Sequence, residues 1–301
     1  PAAGCPCAAN PGYGVLMQDT TANHPRLSDV WNTVEELWPA ALSESWDAVG
    51  PVTGRPDQPV ASIVFAVDPT QAVVDDAVEG GADLLITHHP LLLRGAKSLS
   101  ADGFKGRVVH TLIENKCALL TAHTNGDSAI GGVSDVLIRS LGVEDAVPLT
   151  QAPTGLPGEG IGRVGDLPRA MQLHEFAERV YTVLPSVAGG VRVAGDPDAL
   201  IRRVAVCGGA GDSLFDEVRA SEADVYVTAD LRHHPASEAR EAAAGGRPYL
   251  VDVSHFASEW LWLGAAAGVL HCALSDQGFD VQISVSSINS DPWDFILTPG
   301  N

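Results

Sequence analysis

Apolar positions along the chain alternate between short runs typical of buried strands and longer segments with helical spacing. Residues 62–68 (SIVFAVD) and 82–90 (ADLLITHHP) are apolar runs, and residues 69–81 between them open on a proline and close on two glycines, as capped helices do. This order predicts two parallel strands joined by a helix. The same rhythm predicts a helix at 106–116, a strand at 117–124 and a helix at 133–142.

A first helix precedes this unit, with Ser28 as its N-cap, Val30, Val34 and Leu37 at helical spacing, and a stop at Pro39. After residues 149–160 (LTQAPTGLPGEG), whose composition indicates a linker, the alternation restarts. The later elements are a strand with a glycine turn at 202–211, a helix at 212–222, a strand at 223–235 ending in His-His-Pro, a strand at 247–254, a long helix at 255–278 and a strand at 280–287.

These elements predict an α/β protein of two similar lobes, each with a mostly parallel sheet flanked by helices. Residues 62–90 and 203–235 share one plan, which is either an internal duplication or the ordinary α/β rhythm. We place the first lobe at residues 27–127 plus 252–301 and the second at 128–251. Residues 1–26 form an extension, whose Cys5-Pro-Cys7 pair favours a flexible tail over a metal site because no second pair completes one.

Composition narrows the possible functions. The 38 acidic residues outnumber the 18 Lys and Arg, and a formal charge of −20 argues against binding to a nucleic-acid backbone. The longest uncharged apolar stretch, 260–270, is too short to span a bilayer, which takes about 20 residues. Residues 1–16 lack the basic and apolar regions of a secretory signal, and five scattered cysteines fit a reducing compartment. We therefore expect a cytoplasmic protein.

Polar side chains cluster where the predicted strands end. His88 and His89 follow one strand, Asp127 follows the next, and His255 and Glu259 open the long helix after a third. Ligands of open α/β sheets gather beyond the carboxyl ends of the strands. Because His255 and Glu259 are four residues apart, they lie on one face of their helix. The sequence thus places three imidazoles and two carboxylates where they could converge.

Imidazole and carboxylate groups suit zinc, iron, manganese or nickel, and a carboxylate can bridge two ions about 3.5–4 Å apart. His88 and His89, splayed at a strand exit bent by Pro90, could serve two neighbouring ions, and a hydroxide between the ions would be a nucleophile. Each motif alone has an ordinary explanation: a polar turn for the histidine pair, a surface pair for His255 and Glu259, and a turn residue for Asp127. Their shared position at strand exits favours the metal site.

Six motifs occur together in the order found in one family: SWDAVG, ITHHP, AHTNGD, VAVCGGAG, DVYVTADLRHHPASEA and VDVSHFASE. From about Leu27 to the C-terminus the chain resembles the dinuclear-metal-centre hexameric proteins, the NGG-interacting-factor-three-like family, often labelled GTP cyclohydrolase 1 type 2 homologs. The resemblance implies two divalent metal ions per subunit held by His88, His89, Asp127, His255 and Glu259. It also implies a toroidal homohexamer built as a trimer of dimers.

Two further histidines lie in the family's motifs without being its core ligands. His123 and His234 are candidates for proton transfer or for support of the ligands, with a structural role as the alternative. Ala48 and Ala229 stand where family members usually carry Asn and Gly, which affects expected substrate contacts more than the metals. The CGGAG segment favours a tight strand-to-helix turn over a phosphate-binding loop, because it lacks the spacing of such a loop.

The function predicted from these observations is a metal-dependent hydrolase with a dinuclear site between the lobes, acting on an unknown small molecule. A non-catalytic metal chaperone, store or sensor is the alternative, and a protein whose metals only fasten the lobes together is a third possibility. Histidines beyond the ligand set bear on the choice: if His123 and His234 lie near the metals, acid-base catalysis is favoured.

Overall fold

The computed structural model describes residues 23–153 and 155–298, so residues 1–22 of the proposed extension, with Cys5 and Cys7, lie outside the described residues. Within them, the strands are β1 (Gly50–Thr53), β2 (Ser62–Ala66), β3 (Leu84–Thr87), β4 (Ala118–Thr121), β5 (Thr150–Gln151), β6 (Gly160–Ile161), β7 (Arg163–Gln172), β8 (Arg192–Ala194), β9 (Leu200–Ala210), β10 (Val225–Ala229), β11 (Tyr249–Val253) and β12 (Gln282–Val285). The α-helices are α1 (Leu27–Leu37), α2 (Gln71–Glu79), α3 (Phe104–Glu114), α4 (Thr124–Ser128), α5 (Val133–Ser140), α6 (Leu173–Val183), α7 (Phe215–Ala220), α8 (His233–Ala242) and α9 (His255–Asp276).

The first sheet has the order β1-β4-β3-β2-β12, and all its pairs are parallel except β1 with β4. Every residue of β3 and β4 is buried, because helices cover both faces of a central parallel strand. This explains why the sequence of these strands is continuously apolar rather than alternating. The carboxyl ends of β2, β3 and β4 therefore lie side by side at one edge.

A second sheet has the order β7-β9-β10-β11-β8, with parallel β9, β10 and β11 between two antiparallel edge strands. The predicted α/β class with sheets flanked by helices is confirmed. The first sheet is mostly parallel as predicted, whereas the second has as many antiparallel as parallel pairs. The hydrophobic pattern did not predict β1, β7, α6 and β8. Their residues are partly exposed, and β7 contains Pro168 and a register shift, features of an edge strand that hide its periodicity.

Helix α9 joins the two halves. It packs against β2 and β12 of the first sheet and against β9 and β10 of the second. Trp262, Leu263 and Leu270 of this helix are almost fully buried, and the exposed stripe of the helix is apolar as well, since it includes Ala265 and Val269. Its N-terminus, at the end of β11, is thereby carried to the carboxyl edge of the first sheet. Among the described residues, none of the helices has the combination of length and apolar character needed to cross a membrane.

Several predicted details were wrong. The His-His-Pro of residues 233–235 does not end a strand: β10 stops at Ala229, Asp230 turns the chain with φ of +55°, and the motif opens α8, whose first turn tolerates proline. Helix α1 is capped by Arg26 rather than Ser28, because the Arg26 amide donates to Asp29. The predicted linker overlaps the β5-β6 hairpin, and β9 continues through Gly208 and Gly209 to Ala210, so that Gly211 alone separates it from the next helical turn.

Candidate metal centre

The candidate site lies at the carboxyl edge of the first sheet. His88 and His89 follow β3, and His123 and Asp127 follow the adjacent β4. The first turn of α9 brings His255, and its second turn Glu259, to the same place. All five ligands predicted from the sequence therefore meet in one cluster, and His123 lies beside it.

Glu259 is the centre of this cluster. Its Oε1 lies 2.9 Å from His255 Nε2 and 3.5 Å from His88 Nε2, and its Oε2 lies 3.1 Å from His89 Nε2. Asp127 Oδ1 lies 3.7 Å from His88 Nε2. The two histidines of the His88-His89 pair thus face different oxygens of one carboxylate, which is the arrangement a bridging ligand requires.

Each histidine around the site is held by its other ring nitrogen. The Nδ1 atoms contact oxygen acceptors at 2.7 to 3.0 Å: Ala122 O for His88, Asp68 for His89, Asp47 for His123 and Asp230 for His255. An acceptor at Nδ1 keeps the proton on that nitrogen and leaves the lone pair of Nε2 free. This orientation of imidazoles by carboxylates or carbonyls is typical of metal-binding histidines.

The cluster contains lone pairs without donors. His88 Nε2 is buried and has no hydrogen-bond partner, and His255 Nε2 lies 3.2 Å from His89 Nε2. Two imidazole nitrogens at this distance require either a proton or a cation between them. Ligand atoms of one ion, bound at about 2.0–2.2 Å, lie about 3 Å apart, so the spacing fits a shared divalent ion. Among the residues that the structure describes, two groups meet the geometric condition for metal binding, His89-His255-Glu259 and His88-His89-His123.

Without metal, protons balance the charges of the cluster. Burial lowers the pKa of His88, but the charges of Glu259 and Asp127 outweigh it and raise the pKa above its ordinary value. Burial likewise opposes the effect of Glu259 and Asp230 at His255, whose pKa nevertheless rises to about 10. Burial would raise the pKa of Glu259, yet the surrounding histidines hold it well below its usual range. Divalent cations would replace these protons.

Gly209 closes one wall of the cluster. Its φ is +68°, a left-handed conformation that favours glycine. A Cβ at this position would lie 2.5 Å from Glu259 Oε1 and 3.2 Å from His255 Nε2. The glycine that the sequence suggested as part of a turn is therefore required by the close approach of β9 to the candidate ligands.

A cavity of about 1590 Å³ opens over the cluster and is lined by His89, His123, Asp127, His255 and Glu259. His123 stands at its wall, with ring centroids 5.2 Å from His88 and 5.4 Å from His89. Trp46 packs edge-on against His123 with centroids 5.9 Å apart. The cavity is large enough to admit a small molecule to the metal centre.

The structure does not bring His234 to the site. This residue is exposed in the first turn of α8, where its ring contacts His233, and it does not line the cavity. The sequence motifs did not predict a role for Asp47, Asp68 and Asp230, the carboxylates that orient three histidines. Asp68 and Asp230 follow strands β2 and β10, so the rule that identified the ligands at strand exits could have found both.

The family follows from comparison with known sequences. A model of the Duf34/NIF3 family (NGG1p interacting factor 3) matches residues 25–292. The chain belongs to the Duf34/NIF3 family. A Streptomyces coelicolor relative named GTP cyclohydrolase 1 type 2 homolog is 52% identical over 270 residues, covering 89% of this chain and 94% of that protein. A Clostridium perfringens relative of the same name is 33% identical over 271 residues, covering 90% of this chain and all of that protein.

Two solved structures share this fold. The crystal structure of a Bacillus cereus protein related to NIF3 matches with a TM-score of 0.82 at 25% identity, covering 91% of this chain and 100% of that one. A Staphylococcus aureus protein, SA1388, matches with a TM-score of 0.80 at 27% identity, covering 90% and 99%. The resemblance first drawn from six motifs is confirmed over nearly the whole chain.

Proposed function

We propose that this Duf34/NIF3 protein is a metal-dependent hydrolase whose cluster of His88, His89, Asp127, His255 and Glu259 holds two divalent ions. The observation that carries the proposal is Glu259, which presents its two oxygens to three imidazole nitrogens whose lone pairs are left free. Such ions, when bound, supply Lewis acidity toward a carbonyl or phosphoryl oxygen and lower the pKa of a water molecule.

His123 supports catalysis over simple metal storage. Its Nδ1 contacts Asp47 Oδ1 at 2.8 Å, and Asp47 also accepts hydrogen bonds from the amide and hydroxyl of Thr124. Burial would raise the pKa of Asp47, but the hydrogen bonds from His123 and Thr124 outweigh it, so Asp47 stays ionised. An ionised carboxylate fixes the tautomer of His123 and leaves its Nε2 able to accept a proton beside the cluster. Because the same contact would also orient a metal ligand, metal retention in a His123 variant distinguishes a proton acceptor from a ligand.

Hydrolysis by the reconstituted protein tests the proposal. The metal-loaded protein should hydrolyse at least one of p-nitrophenyl phosphate, bis(p-nitrophenyl) phosphate, p-nitrophenyl acetate and GTP, the last because relatives carry the cyclohydrolase label. The His123→Gln variant should lose activity by about 10²-fold or more while keeping its metal. His110→Gln, at an exposed position on α3, is the matched control. If the metal-loaded protein is no more active than the metal-free protein on any of the four substrates, a chaperone, store or sensor is favoured instead.

Assembly and location extend this proposal. We expect a homohexamer, a trimer of dimers, in the cytoplasm, in keeping with the family resemblance and the scattered cysteines. Light scattering coupled to size-exclusion chromatography measures the subunit number. A monomer at micromolar concentration would contradict the assembly.

A further inference from the structure

Exposed aromatic side chains surround the polar floor of the cavity. Trp46 is 58% exposed, and Trp293 and Phe295 of the C-terminal segment are 71% and 76% exposed, yet all three line the same cavity as the candidate ligands. Exposed large apolar groups gathered around one opening mark a binding surface. Because Trp46 packs on His123, this surface begins next to the metal cluster.

The C-terminal segment is fixed in place by residues that also position the ligands. Ser290 Oγ donates to Asp68 Oδ2 at 2.5 Å, and the other oxygen of Asp68 contacts His89 Nδ1. Ser254 donates to Asp291 Oδ1 at 2.7 Å and caps α9 next to His255. These two attachments flank the cluster and carry Trp293 and Phe295 to the cavity wall.

The negative charge of the cavity lining disfavours strongly anionic ligands such as polyphosphates. The lining contains seven carboxylates: Glu44, Asp68, Asp127, Asp230, Asp252, Glu259 and Asp291. Arg192 is the one lysine or arginine there, although all 18 of the chain fall within the described residues, and it is already paired with Asp252. Two divalent cations would not reverse this excess of negative charge. A polyphosphate would find no arginine or lysine free to bind it.

We infer that the substrate is a small molecule whose reactive group reaches the metals while a planar aromatic ring without strong negative charge stacks against Trp46, Trp293 and Phe295. A nucleoside triphosphate does not fit this description. The inference rests on the proposed metal centre, since the metals would hold the reactive end of the substrate. A ligand gains affinity when its aromatic ring stacks on tryptophan or phenylalanine, and this gain depends little on the ring's substituents.

Three hydroxamates with the same metal-binding group distinguish the effect of an aromatic ring on binding affinity from the effect of negative charge. Acetohydroxamate lacks the ring, benzohydroxamate has it, and 4-phosphonobenzohydroxamate adds negative charge to it. Calorimetric titration of the metal-loaded protein should show benzohydroxamate binding about tenfold more tightly than acetohydroxamate. The phosphonate should bind more weakly than benzohydroxamate. In the Trp46→Ala and Trp293→Ala variants, the difference in affinity between benzohydroxamate and acetohydroxamate should become smaller, while the metal content stays unchanged.

Phe104→Ala removes an equally exposed aromatic ring on α3, outside the cavity, and should leave all three affinities unchanged. Equal binding of acetohydroxamate and benzohydroxamate would overturn the inference and suggest that another subunit covers these aromatic residues. Tighter binding of the phosphonate would overturn the charge argument. If none of the hydroxamates binds and no metal is retained, the metal centre itself has failed.

Discussion

Replacing Gly209 by alanine tests the fit between β9 and the candidate ligands. The new Cβ would stand 2.5 Å from Glu259 Oε1, whereas ordinary contacts begin near 3.4 Å, so the carboxylate has to move by about 0.9 Å. Glu259 is buried among three histidines, so a shift away from β9 breaks its contacts with their ring nitrogens. Metal sites tolerate ligand displacements of only about 0.2 Å. We therefore expect metal affinity to fall by about 10- to 100-fold.

Backbone strain must be separated from this displacement. An alanine in the left-handed conformation costs about 1–2 kcal/mol wherever it occurs. Gly81 is a matched control, because its φ is +77° but a Cβ there would meet no atom within 4 Å. Gly81→Ala should lose stability by a similar amount in urea denaturation of the metal-free protein.

Zinc titration by calorimetry distinguishes the two variants. Gly209→Ala should show the loss of affinity, and Gly81→Ala should bind zinc as the parent protein does. If both variants bind zinc with the parent's affinity, Glu259 does not hold the metal in the way described, and the reasoning fails.

Three other predictions concern charge and proton placement. The pKa of His255 is raised to about 10 in the metal-free protein, so its contribution to stability is complete below pH 6.5 and is lost as pH rises toward 10. Urea midpoints of the metal-free protein should fall across that range, and a flat profile would contradict the His255-Glu259 interaction. Asp47→Asn should lower hydrolysis by about 10- to 100-fold with metal content unchanged, as measured by initial rates beside elemental analysis, and loss of metal would instead make Asp47 a purely structural support. Arg163→Leu should cost about 3–5 kcal/mol in urea denaturation, because the buried guanidinium binds Asp135 and the carbonyls of Gly160 and Gly162, and a loss below about 1 kcal/mol would refute this.

The central strands could be predicted from the sequence because their environment is uniform. Strands β3 and β4 are buried on both faces, so their residues are apolar whatever the details of the fold. Edge strand β7 offers no such signal, since its exposed positions and Pro168 break the pattern. The two His-His-Pro motifs show the limit of local sequence: one follows a strand and the other begins a helix, because Asp230 turns the chain before the second motif.

The candidate ligands could be predicted for a related reason. His88 and His255 lie just beyond strands, Asp127 lies in the short helix that follows β4, and parallel strands bring such positions to one edge. The carboxylates behind the histidines could not be assigned in this way, because the role of Asp47 depends on a contact with His123, 76 residues away in the chain. Equally, His234 shares the motif of His89 but lies on an exposed helix turn, which its sequence does not reveal.

Metal content per subunit tests the central claim most directly. Untagged protein, reconstituted in turn with zinc, manganese, iron or nickel and then desalted, should retain about two ions of at least one metal per subunit by elemental analysis. His88→Ala and Glu259→Ala should retain clearly less, while the exposed His110→Ala keeps the parent value. If the parent protein retains none of these metals, or if the two ligand variants retain as much as the parent, the cluster is a network of protonated histidines and carboxylates and not a metal centre.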